Sequence, residues 1–202
     1  MSAAYLFEQV GLTVTESVRW GTVPKSAEAG VYAISLSADP SAHDAMLDAA
    51  PLDPKRITKW LSRVPALTLD GAANPTAHAV ASALQQFWMP DENIVYIGKA
   101  TSLKGRLRQF LGHVLGDRAP HAGGHWLKTL SASTPLHIHA ATCATVREAE
   151  VAESRLMSEF MKQVSLRSRA HLRDCSLAIP FANREYPKGC RKQNRIANDV
   201  RR

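Results

Sequence analysis

The sequence predicts an α/β fold in one domain spanning residues 1–202. Short segments rich in β-branched and aromatic residues are separated by longer segments whose apolar residues recur at helical spacing. A length of 202 residues suffices for one substantial core, whereas two full domains would be cramped. Hydrophobic residues make up 45% of the chain and charged residues 21%, which is the ordinary mix of a soluble globular protein.

Three strands are predicted. Residues 30–36 (GVYAISL) place their large apolar side chains at every second position. Residues 94–97 (IVYI) are all β-branched or aromatic, and Gly98 ends this strand. Residues 136–140 (LHIHA) alternate apolar and polar side chains. Because no third ligand accompanies the two histidines of this segment, they are expected to form an exposed polar face rather than a metal site.

The chain between the first two strands, at about residues 40–90, is predicted to be a helical insertion. Asp53-Pro54 begins a helical pattern, because proline is well tolerated in the first turn of a helix. Residues 71–75 (GAANP) then break the pattern. Apolar residues between 80 and 88 resume it as a second helix.

Two more helices are predicted after the second strand. One begins at about residue 101 and turns its basic side chains outward. The other begins at Thr145 and runs to about Gln163. Thr145 and Glu148 fit a capping box, in which the hydroxyl and the carboxylate each accept a hydrogen bond from a free backbone N–H.

Basic residues are concentrated in the second half of the chain. Residues 1–98 contain 6 Lys or Arg and 10 Asp or Glu, whereas residues 99–202 contain 19 and 8. This distribution suits nucleic acid, because each neutralised phosphate releases condensed counterions; the alternative is a basic surface that only maintains solubility. Residues 184–202 hold seven Lys or Arg against two acids and few apolar side chains, so a basic, mobile C-terminal tail is expected.

The expected setting is the cytoplasm, with no membrane partner. No apolar run approaches the roughly 20 residues needed to cross a bilayer, and the first ten residues lack the basic start of a signal sequence. The three cysteines have no spacing typical of a disulfide framework or a zinc site.

Several single residues suggest chemistry, each with an ordinary alternative. Glu153 lies in the middle of the apolar stripe of the capped helix. A buried carboxylate needs a cation, either an arginine or a hard divalent metal ion. Arg106 can grip a phosphate through its guanidinium, or it lies on a solvated helix face. Tyr32 and Tyr96 occupy strand positions, where sheet packing is the default explanation.

The order of these residues is more informative than any one of them. Along the chain follow Gly30-Val31-Tyr32, Val95-Tyr96-Ile97-Gly98, Arg106, Glu153 and Asn183. This order resembles that of the GIY-YIG endonuclease superfamily, and the resemblance covers about residues 28–37 and 92–185. Residues 95–110 (VYIGKATSLKGRLRQF) are similar to the matching segment of the nuclease subunit of bacterial nucleotide-excision repair. The PFAN segment at 180–183 looks like that of small stand-alone bacterial members.

The resemblance implies a small three-stranded antiparallel sheet flanked by helices, with the site on its surface; the predicted helical insertion makes the gap between the first two strands longer than is usual in the family. It also implies a metal-dependent endonuclease that hydrolyses DNA phosphodiester bonds with Mg²⁺ or Mn²⁺ as cofactor. Glu153 would hold this metal ion. Arg106 would stabilise charge on the scissile phosphate, and Asn183 would order the site near the metal.

Tyr32 would then be the base, or would orient the attacking water, with support from Tyr96. Lys99 is expected to lower the pKa of a tyrosine from its usual ~10, as a base near neutral pH requires. Phe110 stands where family members often carry His or Tyr, and phenylalanine cannot transfer a proton. The side chains expected to contact DNA are Lys104, Arg108, His113 and His125.

Two other functions remain open at this point. One is a DNA-binding module on the same fold that has lost catalysis, which Phe110 would allow. The other is a basic interaction protein without a nucleic-acid role, which would leave the pairing of Arg106 with Glu153 unexplained. The sequence does not distinguish repair, restriction, mobile-element or toxin-like roles, nor does it indicate an oligomeric state.

Overall fold

The computed structural model describes residues 1–117, 124–173, 175–186 and 189–199. The helices in these ranges are α1 (Ala3–Glu8), α2 (Pro54–Arg63), α3 (Ala77–Gln85), α4 (Leu103–Gly112), α5 (Gly124–Thr129), α6 (Val146–Gln163) and α7 (Leu166–His171). The strands are β1 (Glu16–Arg19), β2 (Gly30–Ser35), β3 (Thr68–Leu69), β4 (Ala72–Ala73), β5 (Ile94–Ala100), β6 (His137–Thr142), β7 (Glu185–Tyr186), β8 (Cys190–Arg191) and β9 (Ile196–Ala197). The predicted α/β class is confirmed.

The main sheet is antiparallel and has the strand order β1-β6-β2-β5. Strands β2, β5 and β6 are the three that the sequence predicts. The expectation of only three strands is wrong, because β1 adds a fourth at the edge, where Ser17 pairs with His139. The β1 sequence ESVR contains only one apolar residue, so no hydrophobic pattern marks it as a strand.

Helices cover both faces of this sheet. On one face, Tyr32 and Ile34 of β2 join a core formed with side chains from α2, α3, α4 and α5, such as Trp60 and Leu107. On the other face, Val31 and its neighbours pack against α1 and α6. Strand β2 is central and therefore completely buried. Burying each large apolar side chain contributes roughly 1.5–3 kcal/mol.

The segment between β2 and β5 contains α2, α3 and the short β3–β4 hairpin. Asp53 caps α2 by accepting a hydrogen bond from the Lys55 N–H, and Pro54 stands in the first turn. Trp60 of α2 and Leu84 of α3 belong to the same core as Tyr32. This segment therefore completes the core on one face of the sheet.

Helix α6 begins where its capping residues predict. The Thr145 hydroxyl accepts a hydrogen bond from the Glu148 N–H at 3.1 Å, and the Glu148 carboxylate accepts one from the Ala144 N–H at 3.0 Å. Its apolar stripe, including Leu156 and Phe160, is buried against the sheet. This packing fixes the position of Glu153 on the same helix.

The C-terminal segment is not a mobile tail over the residues that the structure describes. Strand β9 pairs with β3, and the side chains of Lys192, Ile196 and Asp199 are buried. This packing differs from the mobile tail that the composition predicts, because these few residues find partners in the core. Residues 187–188 and 200–202 of the predicted tail lie outside the described ranges. None of the described helices has the length and apolar character needed to span a bilayer.

Candidate active site at the edge of strand β5

Tyr32 and Tyr96 lie together on one face of the sheet, next to Phe110 of α4. The ring centroids are 6.0 Å apart for Tyr32 and Tyr96, and 5.4 Å apart for Tyr96 and Phe110. Tyr32 is paired across the strands with Gly98. A Cβ atom at Gly98 would lie 2.7 Å from Cζ of Tyr32 and 2.8 Å from Cε1 of Tyr96, so only glycine leaves room for the two rings.

Strand β5 is the last strand of the sheet, yet its outer edge is occupied. The Ala182 N–H donates to the Val95 carbonyl at 2.9 Å. The Asn183 side chain accepts a hydrogen bond from the Ile97 N–H and donates one to the Ile97 carbonyl, both at 2.8 Å. Backbone groups on alternate residues of a strand point to the same side. The N–H of Lys99 therefore points outward too, toward α6.

Asn183 is thus a structural partner of β5. Its amide oxygen and nitrogen are both used by the Ile97 backbone, and the residue is 5% exposed. Both hydrogen bonds that the structure gives to its amide group go to the strand, and the role near a metal ion stays a prediction. By binding the backbone of Ile97, Asn183 keeps strand β5 in place, and with it Tyr96 and Gly98 on the same strand.

Glu153 of α6 lies beside this same edge. Burial raises the pKa of its carboxyl group, while the Lys99 ammonium, the Arg106 guanidinium and the backbone N–H of Lys99 act in the opposite direction. Its side chain retains 16% exposure, so the carboxylate is largely buried but reachable. The nearest ion pair is with the Lys99 ammonium, at 3.8 Å.

Arg106 stands on the first turns of α4, which Ser102 caps by accepting a hydrogen bond from the Gly105 N–H at 3.3 Å. The position is half-buried, not fully solvated as a simple helix face would be. Its Nε atom is buried without a hydrogen-bond partner among the described residues. The guanidinium also lowers the pKa of Tyr32, Tyr96 and Glu153 against the effect of burial, so it lies close to all three.

Both tyrosine hydroxyls are less acidic than in water. Burial is the main cause that raises the pKa of Tyr32 above 10, and it raises that of Tyr96 further. Arg106, not Lys99, is the strongest opposing influence on Tyr32. The Tyr32 hydroxyl itself is buried and has no partner with hydrogen-bond geometry in the described structure, although Arg106 and Tyr96 are near.

Lys99 therefore serves a different purpose from the one predicted. Its ammonium forms ion pairs with Glu150 at 3.1 Å and with Glu153 at 3.8 Å. Lys99, Arg106 and Glu150 line a surface pocket of about 250 Å³ together with Val146. Glu150 was not singled out from the sequence, although its place three residues before Glu153 on a predicted helix is the spacing that brings two side chains to one face.

The four predicted DNA-contacting residues divide into two pairs. Lys104 and Arg108 are exposed on α4, as predicted for contacts with phosphate. His125 is 0% exposed and His113 only 7%, so neither imidazole reaches a ligand on the surface of this conformation. The prediction of direct DNA contact is therefore withdrawn for His113 and His125. Their Nε2 atoms face each other at 2.9 Å inside the core.

The predicted polar face on the third strand is also corrected. His139 is buried, with hydrogen bonds linking its ring nitrogens to the Ser17 hydroxyl at 2.8 Å and the Ser35 hydroxyl at 2.9 Å. Its neighbours come from β1 on one side and from Ser35 and Ser37 on the other, and burial lowers the pKa of this imidazole.

Within the described ranges, no group of three or more His, Cys, Asp or Glu side chains is placed to hold a metal ion. Glu153 shares the Lys99 ammonium with one other carboxylate, that of Glu150. This donor chemistry fits a hard divalent ion that keeps most of its water ligands, and it does not fit zinc, which requires several protein ligands.

Comparison of the chain with models of known protein families, with curated proteins and with solved structures finds no match.

Proposed function

We propose that this protein is a metal-dependent endonuclease that hydrolyses DNA phosphodiester bonds. The observation that carries the proposal is that Lys99 of β5 and Arg106 of α4 line one surface pocket, and that the Lys99 ammonium lies 3.8 Å from the Glu153 carboxylate of α6. Perturbed titratable groups gathered in this way are typical of functional sites. The GIY-YIG-like order of the same residues supports the assignment.

Glu153 is the residue that would hold Mg²⁺ or Mn²⁺. A bound divalent ion would supply Lewis acidity to the phosphate oxygens and the leaving group. The carboxylate suits this role because it is largely buried, with 16% of its side chain exposed, and because the cationic Lys99 and Arg106 oppose the rise in its pKa that burial causes. Mn²⁺ and Mg²⁺ both prefer such oxygen ligands.

Arg106 is proposed to bind the scissile phosphate. Its guanidinium offers parallel donors that match two phosphate oxygens, and it borders the pocket of about 250 Å³. The Nε atom is buried and lacks a protein partner in the described structure, so the proposed phosphate contact would be made by the terminal N–H groups of the guanidinium. Lys104 and Arg108, exposed on the same helix, would add contacts to flanking phosphates.

Tyr32 is proposed to orient the attacking water through its unpartnered hydroxyl, with Tyr96 and Gly98 fixing the ring. A tyrosine whose pKa is raised by burial is a poor base at neutral pH. As a neutral hydroxyl, however, it both accepts and donates a hydrogen bond. Orientation of water is therefore the role proposed for this residue, and it requires the neighbouring aromatic side chains to move so that water reaches the hydroxyl.

A second candidate function is DNA binding without catalysis. The observation that favours it is the complete burial of the Tyr32 side chain beneath Phe110 and Tyr96. A hydroxyl at 0% exposure reaches no solvent water unless the aromatic side chains move. Lys104, Arg108 and Arg106 would still bind phosphate in such a module.

The first test is cleavage of supercoiled plasmid and of branched or flapped DNA, with Mg²⁺, Mn²⁺ or EDTA. We expect the wild type to nick DNA with either metal and not with EDTA. Glu153→Gln should slow cleavage by about 100-fold or more, because the metal contribution is worth several kcal/mol. Glu159→Gln is the matched control, since Glu159 lies on the same helix and, among the described residues, forms its ion pair with the exposed Lys162, at 2.7 Å.

The outcomes separate the candidates. Loss of cleavage in Glu153→Gln alone supports the endonuclease. If the wild type binds DNA and cuts with neither metal, the binding module is the better description. If Glu153→Gln cuts as well as the wild type, the active site lies elsewhere.

A further inference from the structure

The Lys99 ammonium lies between two carboxylates of α6. Its Nζ atom is 3.1 Å from Glu150 and 3.8 Å from Glu153. The two glutamates are three residues apart and so face the same side of the helix. A cation belonging to the protein is thus already placed beside the carboxylate that is proposed to hold a metal ion.

The metal and the ammonium would compete for Glu153. Two cations that contact one carboxylate repel each other, and the repulsion is stronger where the group is partly buried. Metal binding at Glu153 therefore favours any arrangement in which Lys99 moves away from that residue and keeps another anionic partner.

The exposed fractions decide which group moves. Glu153 is 16% exposed and lies at the β5 edge, where the backbone N–H of Lys99 also favours its anionic form. Lys99 and Glu150 are 41% and 51% exposed, and their side chains have room to change rotamer. The carboxylate of Glu153 stays in place, whereas the ammonium can shift toward Glu150.

We infer that Glu150 is a positioning residue that receives Lys99 when a divalent cation binds Glu153, so that the Lys99–Glu150 pair sets the affinity of the site for metal. This inference rests on the proposed function. In this inference Lys99 affects how tightly the metal ion binds. From the sequence alone, Lys99 is instead expected to lower the pKa of a tyrosine. Without Glu150, the ammonium has only Glu153 as an anionic partner in the contacts described, and the metal must displace it.

The test measures Mn²⁺ binding to the full-length protein without DNA, by the loss of the free-ion electron paramagnetic resonance signal. Glu150→Gln should weaken binding about two- to five-fold, the range expected from an exposed ion pair. Lys99→Met should strengthen binding by a similar factor, because it removes the competing cation. In the Lys99→Met background, adding Glu150→Gln should change the affinity by less than about 1.5-fold, since the two residues act as one pair.

Two controls make the result specific. Glu153→Gln should abolish the binding that these variants modulate, and Glu159→Gln, which removes one charge from the same helix, should leave it unchanged. Glu150→Asp, which restores an acceptor for Lys99, should recover part of the affinity lost in Glu150→Gln.

Each contrary result has a distinct meaning. If Mn²⁺ binds through Glu153 but neither Glu150→Gln nor Lys99→Met alters the affinity, the inference is wrong and the proposed metal site stands. If Glu150→Gln weakens binding equally with and without Lys99, Glu150 is itself a ligand and the positioning role is wrong. If the wild type and Glu153→Gln bind Mn²⁺ alike, the proposed metal site and this inference both fail.

Discussion

Tyr32 lies with its ring on Gly98 and with its hydroxyl buried, without a hydrogen-bond partner among the described residues. Most buried hydroxyl groups have a partner, because an unsatisfied one destabilises the fold by about 1–3 kcal/mol. The ring packs well against Tyr96 and Phe110, so the aromatic part of the residue is stabilising. Packing of the ring does not explain why a hydroxyl group is present at this buried position.

The substitution Tyr32→Phe distinguishes the contribution of the aromatic ring from that of the hydroxyl group. The substitution keeps the ring and removes the unpartnered hydroxyl, so the free energy of unfolding should stay the same or rise by up to about 1 kcal/mol. DNA cleavage should fall by about 10- to 100-fold, because orientation of the water would be lost. Urea denaturation and plasmid nicking measure the two effects on the same preparation.

Either measurement can contradict this account. A destabilisation of more than about 1 kcal/mol would show that the hydroxyl has a stabilising partner in solution. Unchanged cleavage would remove Tyr32 from the reaction and favour another group that orients the water. Phe110→Leu, at the neighbouring buried ring, is the control for general damage to this part of the core.

At the scale of elements, strand β5 contains Tyr96 and Gly98 of the candidate site, and Asn183 forms hydrogen bonds to its outer edge. An edge strand leaves a row of N–H and C=O groups unpaired, and natural proteins cover such edges with loops or other elements. Here the segment around Ala182 and Asn183 does this with three hydrogen bonds to Val95 and Ile97, between 2.8 and 2.9 Å long. The strand is thereby held in register with Tyr32 on its inner side.

Asn183→Ala should lower the free energy of unfolding by about 2–3 kcal/mol, because two buried backbone groups of Ile97 lose their partners. Cleavage should fall as well, since Tyr96 and Gly98 lose their support. Mn²⁺ affinity should change by less than about two-fold, because Asn183 is a structural partner and not a ligand. Chemical denaturation and Mn²⁺ titration check the two expectations. A stable variant with much weaker Mn²⁺ binding would restore the metal-ordering role predicted from the sequence.

The sequence predicts the elements that have a clear period. Strands β2, β5 and β6 and helices α2, α4 and α6 all show alternating or helical patterns over enough residues to decide their type. The sequence does not predict strand β1, because its four residues, ESVR, are few and are half-exposed at the edge of the sheet. An edge strand gains its structure from the neighbour it pairs with, and a local pattern does not contain that information.

The order of residues in the chain singles out Tyr32, Arg106 and Glu153 as candidates, but it does not predict their contacts. In the structure, Arg106 lines a pocket with Lys99, and Lys99 pairs with Glu153. Which partner each charged group takes depends on three-dimensional contacts. Lys99 pairs with Glu150 and Glu153 rather than acting mainly on a tyrosine, and only the register of β5 against α6 determines this.

For the molecule as a whole, the C-terminal segment ties distant elements together. Strand β9 pairs with β3 from the segment between β2 and β5. The Trp60 indole of α2 donates to the Asp199 carbonyl at 3.0 Å. The composition predicts a mobile tail because the segment is basic and poor in apolar residues. It does not show that the methylene groups of a lysine can pack against apolar side chains elsewhere in the fold.

Among the buried residues of this segment, Lys192 best tests whether the C-terminal segment is packed against the core. It is 5% exposed, and its ammonium donates to the carbonyls of Pro180 at 2.7 Å and Phe181 at 3.0 Å. The Nζ atom also lies 5.7 Å from the ring centroid of Phe87 and 5.6 Å from that of Trp126. Burial lowers the pKa of this ammonium well below its usual value. The carbonyl oxygens and ring faces favour the cation against this desolvation.

Lys192→Ala should lower the free energy of unfolding by about 2–4 kcal/mol, because it leaves a cavity beside Trp126 and removes the donor from two carbonyls. Arg191→Ala is the matched control: the neighbouring side chain is 76% exposed, and its loss should change stability by no more than about 0.5 kcal/mol. Urea denaturation followed by tryptophan fluorescence gives both values. A change below about 1 kcal/mol in Lys192→Ala would mean that the C-terminal segment adds little to the native state, and the composition-based expectation of a mobile tail would then describe the protein in solution better than the packed segment does.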